Sequence, residues 1–333
     1  MRTRATALLA LCGVLAFMLA GCGIGSDPLV AFNVDGHAVS MTTYQRLVDI
    51  FKLNAQRQGQ TVSWQSPDGR ATLASAQYNA INLLTMTALI HERAQATHAT
   101  VSVNDLRQQV KDLSSFFDSW SQQLPANEDV RALHTAAAQA SKDAANKPDV
   151  NELLASRSSL SDAILILAEE QAEANALLTH ASVPAAQVRV ILLGTKEEAD
   201  SYKALLIDHK ADFGDLARQH SLDKTTAQNG GVLSAAPVYV GEYQALDDVL
   251  FGSKANYRAA TDYEVATVGG NGATQYVLCE ITGRTSTALA SIADPTTRSN
   301  VLGTWLTLVV RPAAHVQQYI AIDPTPTAGG QGQ

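Results

Sequence analysis

Between residues 188 and 284 strand-like and helix-like segments alternate closely, a pattern that predicts a small domain of sheet and helix. Val188-Arg189-Val190-Ile191-Leu192-Leu193 is an apolar, β-rich run. Gly194-Thr195 leads into an acidic helix start, Lys196-Glu197-Glu198-Ala199. Within DFGDLARQHSLD (212–223), Phe213, Leu216 and Ala217 have the i, i+3, i+4 spacing of a core-facing helix stripe. Gly230-Gly231 offers backbone freedom before the next strand. The apolar run Gln275-Tyr276-Val277-Leu278-Cys279-Glu280-Ile281 closes the block.

In their order and spacing these segments resemble the parvulin peptidyl-prolyl isomerases. Motifs of that family run as a strand HILV, a helix EEA, DFxxLAxxxSxD, GGDLG and a last strand GYHIIKV. Rotation about an X–Pro bond crosses a barrier of roughly 18–20 kcal/mol, because twisting the amide breaks its resonance. The resemblance implies catalysis without covalent bond, metal or cofactor, through an apolar prolyl pocket and hydrogen bonds preorganised for the twisted amide. It also implies one histidine in the first strand, one in the last, and an Asp or Cys in the loop after the second helix. Here Val190 and Val277 stand at the two histidine positions, and Asp223 stands at the loop position. Asp223 is thus the candidate catalytic residue, and Phe251 a candidate for lining the prolyl pocket.

Each of these residues also has a plainer role. Asp223, just past a helix, suits a local turn hydrogen bond. Phe251 suits core packing. His220 suits the dipole of a helix end more than a catalytic base, and Cys279, within an apolar strand, reads as a buried small hydrophobe.

At the N-terminus Arg2 and Arg4 precede an almost unbroken apolar run over residues 5–20, and Leu19-Ala20-Gly21-Cys22 matches a bacterial lipobox. The run is short for a membrane span. The expectation is a lipoprotein signal peptide over 1–21 and lipidation of Cys22, two acyl chains giving stable anchoring at about 0.8 kcal/mol per buried methylene. Cys12 would leave with the leader, so Cys279 alone would remain unmodified, and no Cys or His spacing suggests a metal. The formal charge of −8 becomes −10 once residues 1–21, with Arg2 and Arg4 and no acid, are removed. That balance argues against nucleic acid as a partner.

After a linker at 22–28, residues 30–40 predict a hairpin around Asp35-Gly36. A helix follows with Tyr44, Leu47, Val48 and Phe51 on one face, and further helices are expected over about 71–97, 104–123 from an Asn104 cap, 128–146 and 150–180. Phe116, Phe117 and Trp120 cluster on an otherwise polar helix, as core packing or as an apolar patch for client chains. Ser182-Val183-Pro184 reads as a hinge, and a helix at about 294–311 and a strand within 315–324 end the ordered part.

Following a lipobox and preceding the parvulin-like block, the hairpin-to-helix entry resembles the N-domain of SurA/PrsA chaperones. The implied fold class is α+β: a helical N-domain over 29–182, a parvulin-like domain over 183–286, and a C-terminal helix and strand over 287–324 that return to pair with residues 30–40. Residues 325–333, rich in Pro, Gly and Gln, are expected to be disordered. The implied function is an extracytoplasmic, membrane-anchored chaperone for unfolded or nascent exported polypeptides, with weak or no isomerase activity. An active isomerase and a non-enzymatic interaction lipoprotein are the alternatives.

Overall fold

The computed structural model describes residues 29–57, 63–122, 128–144, 146, 149–155, 159–233, 236–238, 246–252, 263–270 and 273–320. The expected leader, Cys22 and the C-terminal tail lie outside them.

The chain opens with the expected hairpin, β1 (Val30–Val34) and β2 (His37–Ser40). Asp35 and Gly36 turn it with φ of 48° and 93°, the paired positive values that a tight two-residue turn needs and that Asp and Gly tolerate. The Asn33 side chain accepts from the Gly36 N–H at 2.8 Å. Strand β7 (Val316–Gln318) lies on the other side of β1, Phe32 opposite Gln318 and Val34 opposite Val316. The first sheet therefore runs β2-β1-β7 and joins the two ends of the described chain.

Six helices follow: α1 (Met41–Arg57), α2 (Pro67–Ala96), α3 (Val103–Ser121), α4 (Glu128–Asp143), α5 (Val150–Ala155) and α6 (Leu160–His180). Helix α6 is the hub. Ala163, Ile164, Leu165, Ile166 and Ala168 are all buried, an apolar surface too wide for one neighbour, and α6 packs against α1, α2, α3 and α4. Two boundaries depart from expectation. The cap of α3 is Ser102, whose hydroxyl accepts from the Asp105 N–H at 3.1 Å, rather than Asn104. The helix expected over 150–180 is two, because Ser159 and Asp162 form a reciprocal capping box that starts α6 afresh.

Strand β3 (Ser182–Leu193) then enters a second sheet of order β4-β3-β6-β5, with β4 at Ala236–Pro237, β5 at Tyr263–Gly270 and β6 at Ala273–Ala288. Helices α7 (Lys196–Ile207), α8 (Phe213–His220), α9 (Lys224–Ala227) and α10 (Asp247–Leu250) lie between its strands in sequence. The expected hinge at Ser182-Val183-Pro184 is instead the start of β3, paired with Ala288, Thr287 and Ser286. Leu289 N–H donates to the Ala181 carbonyl at 2.9 Å, so the β3–β6 ribbon runs straight into the helical part. Pro184 donates nothing to this ladder, but its carbonyl accepts from Val238 at 3.0 Å.

Helix α11 (Pro295–Trp305) returns against α6 and β3, continues as a π-helical turn at Leu306–Val310 that touches α2, and passes through α12 (Arg311–Ala313) into β7. Among the described residues no helix is long and apolar enough to cross a membrane. The architecture is α+β, with two small antiparallel sheets and a dominant helical layer.

Candidate functional site

The two faces of the second sheet differ. In β3, Val188, Val190 and Leu192 point one way and Ile191 and Leu193 the other, as the strand pleat requires. Directly opposite on β6 stand Ile281 against Val188, Cys279 against Val190, and Val277 against Leu192. Ala266 of β5 faces Val277 in turn. Ile191, Leu193 and Leu278 pack with Ala199, Phe213, Leu216 and Ala217 of α7 and α8, so the expected stripe on α8 does face a core. Val188, Val190, Val277, Cys279 and Ile281 instead belong to the core that includes Leu246, Leu250 and Phe251.

Val190, Val277 and Phe251 share that core. Val190, Val277 and Cys279 are each 0% exposed. The loop after α8 runs along the β3 edge: Leu222 N–H donates to the Leu192 carbonyl at 2.8 Å, and the Ser221 hydroxyl accepts from Leu192 N–H at 3.1 Å. Asp223 is the next residue. The loop that carries Asp223 thus runs along the strand that carries Val190, and Val277 stands opposite Leu192 on β6. The Asp223 carboxylate caps α9. Its Oδ1 accepts from the N–H groups of Thr225 at 2.9 Å and Thr226 at 3.4 Å, and its Oδ2 accepts from the Thr226 hydroxyl at 2.6 Å. This is the local turn role.

Gly230 and Gly231 close the same edge with φ of 67° and 82°. Val190 N–H donates to the Gly231 carbonyl at 2.8 Å, and a Cβ on Gly231 would lie 2.5 Å from the Val190 carbonyl oxygen. Glycine is therefore required by both conformation and contact. The His220 ring stacks on Tyr202 of α7, centroids 4.9 Å apart.

Three expected binding residues are placed differently from an open apolar surface. Phe251 is 2% exposed, held in the core after α10, whose last carbonyl, that of Leu250, accepts from Arg284 at 2.7 Å. Phe117 and Trp120 are 4% and 3% exposed, whereas Phe116 is 55% exposed. Helix α3 packs against α4 and α6, and Ala136, Ala137 and Ala140 of α4 are buried as well. Phe116 stacks on Trp120 at 6.3 Å and leaves its outer side to solvent. The aromatic trio is thus a packed cluster with one exposed ring, not a patch of three.

Two features escape a pass along the sequence. Arg189 bridges to Glu280 on β6 at 3.2 Å, and its guanidinium lies 4.9 Å from the centre of the Phe213 ring. The other is a buried polar group between α2 and α6. His91 Nδ1 lies 2.7 Å from Glu173 Oε1, and Glu169, Glu170 and Glu173 occupy little more than one turn of α6. The available signal was acidic residues at i, i+4 inside an apolar helix, which a satisfied core can absorb only with a partner. Among the described residues no group of three or more His, Cys, Asp or Glu is arranged to hold a metal ion.

These features define an α+β chain with a helical unit and a small, two-faced sheet unit. No protein-family model and no curated protein matches it. Among solved structures it is similar to the peptidylprolyl isomerase PrsA from Bacillus anthracis, at 15% identity over 67% of this chain and 93% of that one, with a TM-score of 0.26. The foldase protein PrsA from Streptococcus pneumoniae is similar at 14% identity over 85% and 93%, with a TM-score of 0.27. PrsA from Bacillus cereus is similar at 15% over 81% and 88%, with a TM-score of 0.27. At these identities and TM-scores nothing about the chemistry of this chain follows from the likeness.

Proposed function

We propose that the chain is an extracytoplasmic chaperone that binds unfolded or nascent exported polypeptides, is anchored to the membrane through lipid on Cys22, and has weak or no isomerase activity. The supporting observation is the pairing of β1 with β7, which closes the helical unit around the inserted sheet unit. That closure is the organisation implied by the SurA/PrsA resemblance, with 29–182 and 287–324 as one domain and 183–286 as the parvulin-like one. Val190 and Val277 speak against catalysis, since valine side chains cannot stabilise a twisted amide by hydrogen bonds. The lipobox favours the envelope location, and the acidic balance argues against nucleic acid as a partner.

One preparation tests the reading by two assays. It should suppress aggregation of an unfolded exported protein at near-stoichiometric ratios while leaving cis–trans exchange in a proline peptide close to the uncatalysed rate. Absence of any effect on aggregation would count against the chaperone. Fractionation tests the anchor: Cys22→Ala should release the chain from the membrane or leave it with its leader uncleaved, and a processed, membrane-bound Cys22→Ala form would refute lipidation.

A further inference from the structure

We propose that the α2–α6 interface is a proton-operated latch, closed by protons held between His91 and the acidic turn of α6 in mildly acidic surroundings and loosened above neutrality. The geometry is that of a buried group with more acids than bases. His91, Glu169 and Glu173 are 4%, 1% and 4% exposed. His91 Nδ1 is 2.7 Å from Glu173 Oε1, and its Nε2 is 2.8 Å from Gln95 Nε2 and 3.6 Å from Asp149 Oδ1 at the start of α5. The Gln95 amide nitrogen can only donate, so neutral His91 donates from Nδ1 to Glu173 and accepts at Nε2. A second proton, on Nε2, turns that atom into a donor facing the Asp149 carboxylate and requires Gln95 to present its oxygen instead. One turn away, Glu170 Oε2 accepts from the Thr87 hydroxyl at 3.3 Å, and that hydroxyl also meets the Leu83 carbonyl at 3.0 Å.

Acids reach this group from two elements, Glu169, Glu170 and Glu173 from α6 and Asp149 from the start of α5, while α2 contributes Thr87, His91 and Gln95. Two basic side chains near α2 have other partners: Arg93 lies 3.9 Å from Glu92, and Arg311 of α12 donates to Asn82. Each added proton therefore relieves like-charge repulsion inside a helix interface. Burial pushes the Glu170 carboxyl up to about 7, against the Thr87 hydrogen bond and with the Glu173 charge adding to the rise. For His91, burial lowers the imidazole, but the Glu173 hydrogen bond and the charges of Glu173, Asp149 and Glu169 together hold it above its ordinary 6.5.

The sign is the same for both groups. A folded-state value above the unfolded one gives stability that is complete below the unfolded value and is lost as pH rises through the folded value. For Glu170 that loss runs from its ordinary 4.5 to about 7. For His91 it begins at 6.5 and extends above.

Thermal unfolding of the full chain in detergent, from about pH 5 to about pH 9, should show a midpoint that falls as pH rises. Glu170→Gln, which keeps an acceptor for Thr87 and cannot ionise, should remove the part of the fall below neutrality, and His91→Gln the part above. A flat or rising midpoint, or the wild-type fall retained in both variants, would overturn the latch. If the variants do not fold, hydrogen exchange on the wild-type chain decides. After correction for intrinsic rates, amides of α2 and α6 should lose protection on going to about pH 9 while those of β3 and β6 keep theirs; equal protection in α2 and α6 would refute the proposal. Neither outcome depends on client binding.

Discussion

Asp35 and His315 hold each other by two hydrogen bonds: His315 N–H donates to Asp35 Oδ1 at 2.8 Å, and Asp35 N–H donates to the His315 carbonyl at 3.0 Å. The first hairpin turn is thereby tied to the segment that starts β7. Removing residues 312–333 would strip β1 of one partner and expose a sheet edge. Thermal unfolding should then show a lower transition for the helical unit and an unshifted one for the second sheet. Asp35→Ala should cost about 1–2 kcal/mol, because it loses the acceptor and places a less tolerant residue at φ 48°. Asp35→Asn, which keeps both, should cost much less.

Gly231 and Gly303 make opposite predictions for the same substitution. At Gly231 an added Cβ meets the Val190 carbonyl oxygen at 2.5 Å with φ at 82°, while at Gly303 in α11 nothing lies within 4 Å. Gly231→Ala should therefore destabilise by well over ~1 kcal/mol, and Gly303→Ala should stabilise by up to about 1 kcal/mol. Urea unfolding of the two variants checks both signs.

How far the sequence carried the fold depends on where the signal was local. The Asp35-Gly36 turn and the Phe213, Leu216, Ala217 stripe are set by residues within a few positions, and both are found where expected. In the Ser182–Gln187 half of β3 the sequence predicts a hinge at Ser182-Val183-Pro184, because Pro184 and the Ala-Ala-Gln stretch carry no strand signal. Its partners, Gly283 to Ala288, lie about a hundred residues away. Tertiary pairing overrides local preference there. The placing of Val190 and Val277 on the inner face of their strands follows the alternation of β3 and β6, but the burial of Phe117 and Trp120 depends on the helices packed against α3, which α3 alone does not reveal. His91 and Glu173, 82 positions apart, carry no mutual signal at all.

Within the aromatic cluster the exposed and buried rings should separate cleanly. Trp120→Ala and Phe117→Ala remove large core side chains and should each cost about 3–5 kcal/mol. Phe116→Ser should stay within roughly 1 kcal/mol, since its outer face is already in water. If the exposed ring contributes to client capture, Phe116→Ser should weaken aggregation suppression at unchanged stability. Circular dichroism melts and the aggregation assay on the same variants distinguish a packing role from a binding one.

Asp223 should prove a structural cap rather than a catalytic group. Its carboxylate accepts from Thr225 N–H, Thr226 N–H and the Thr226 hydroxyl, and the two positions that the parvulin resemblance gives to histidine are Val190 and Val277, each 0% exposed. One preorganised donor removed from an active site costs roughly 2.7–4 kcal/mol in transition-state stabilisation, so a site lacking two has little acceleration left to lose. Asp223→Ala should lower stability by about 1 kcal/mol, the cost of a lost helix cap, and leave proline-peptide exchange at the rate of the unaltered chain. Asp223→Asn, which still accepts at Oδ1, should recover part of the stability with the same exchange rate. Brisk exchange in the unaltered chain, abolished by Asp223→Ala at full folding, would instead mark an active isomerase site.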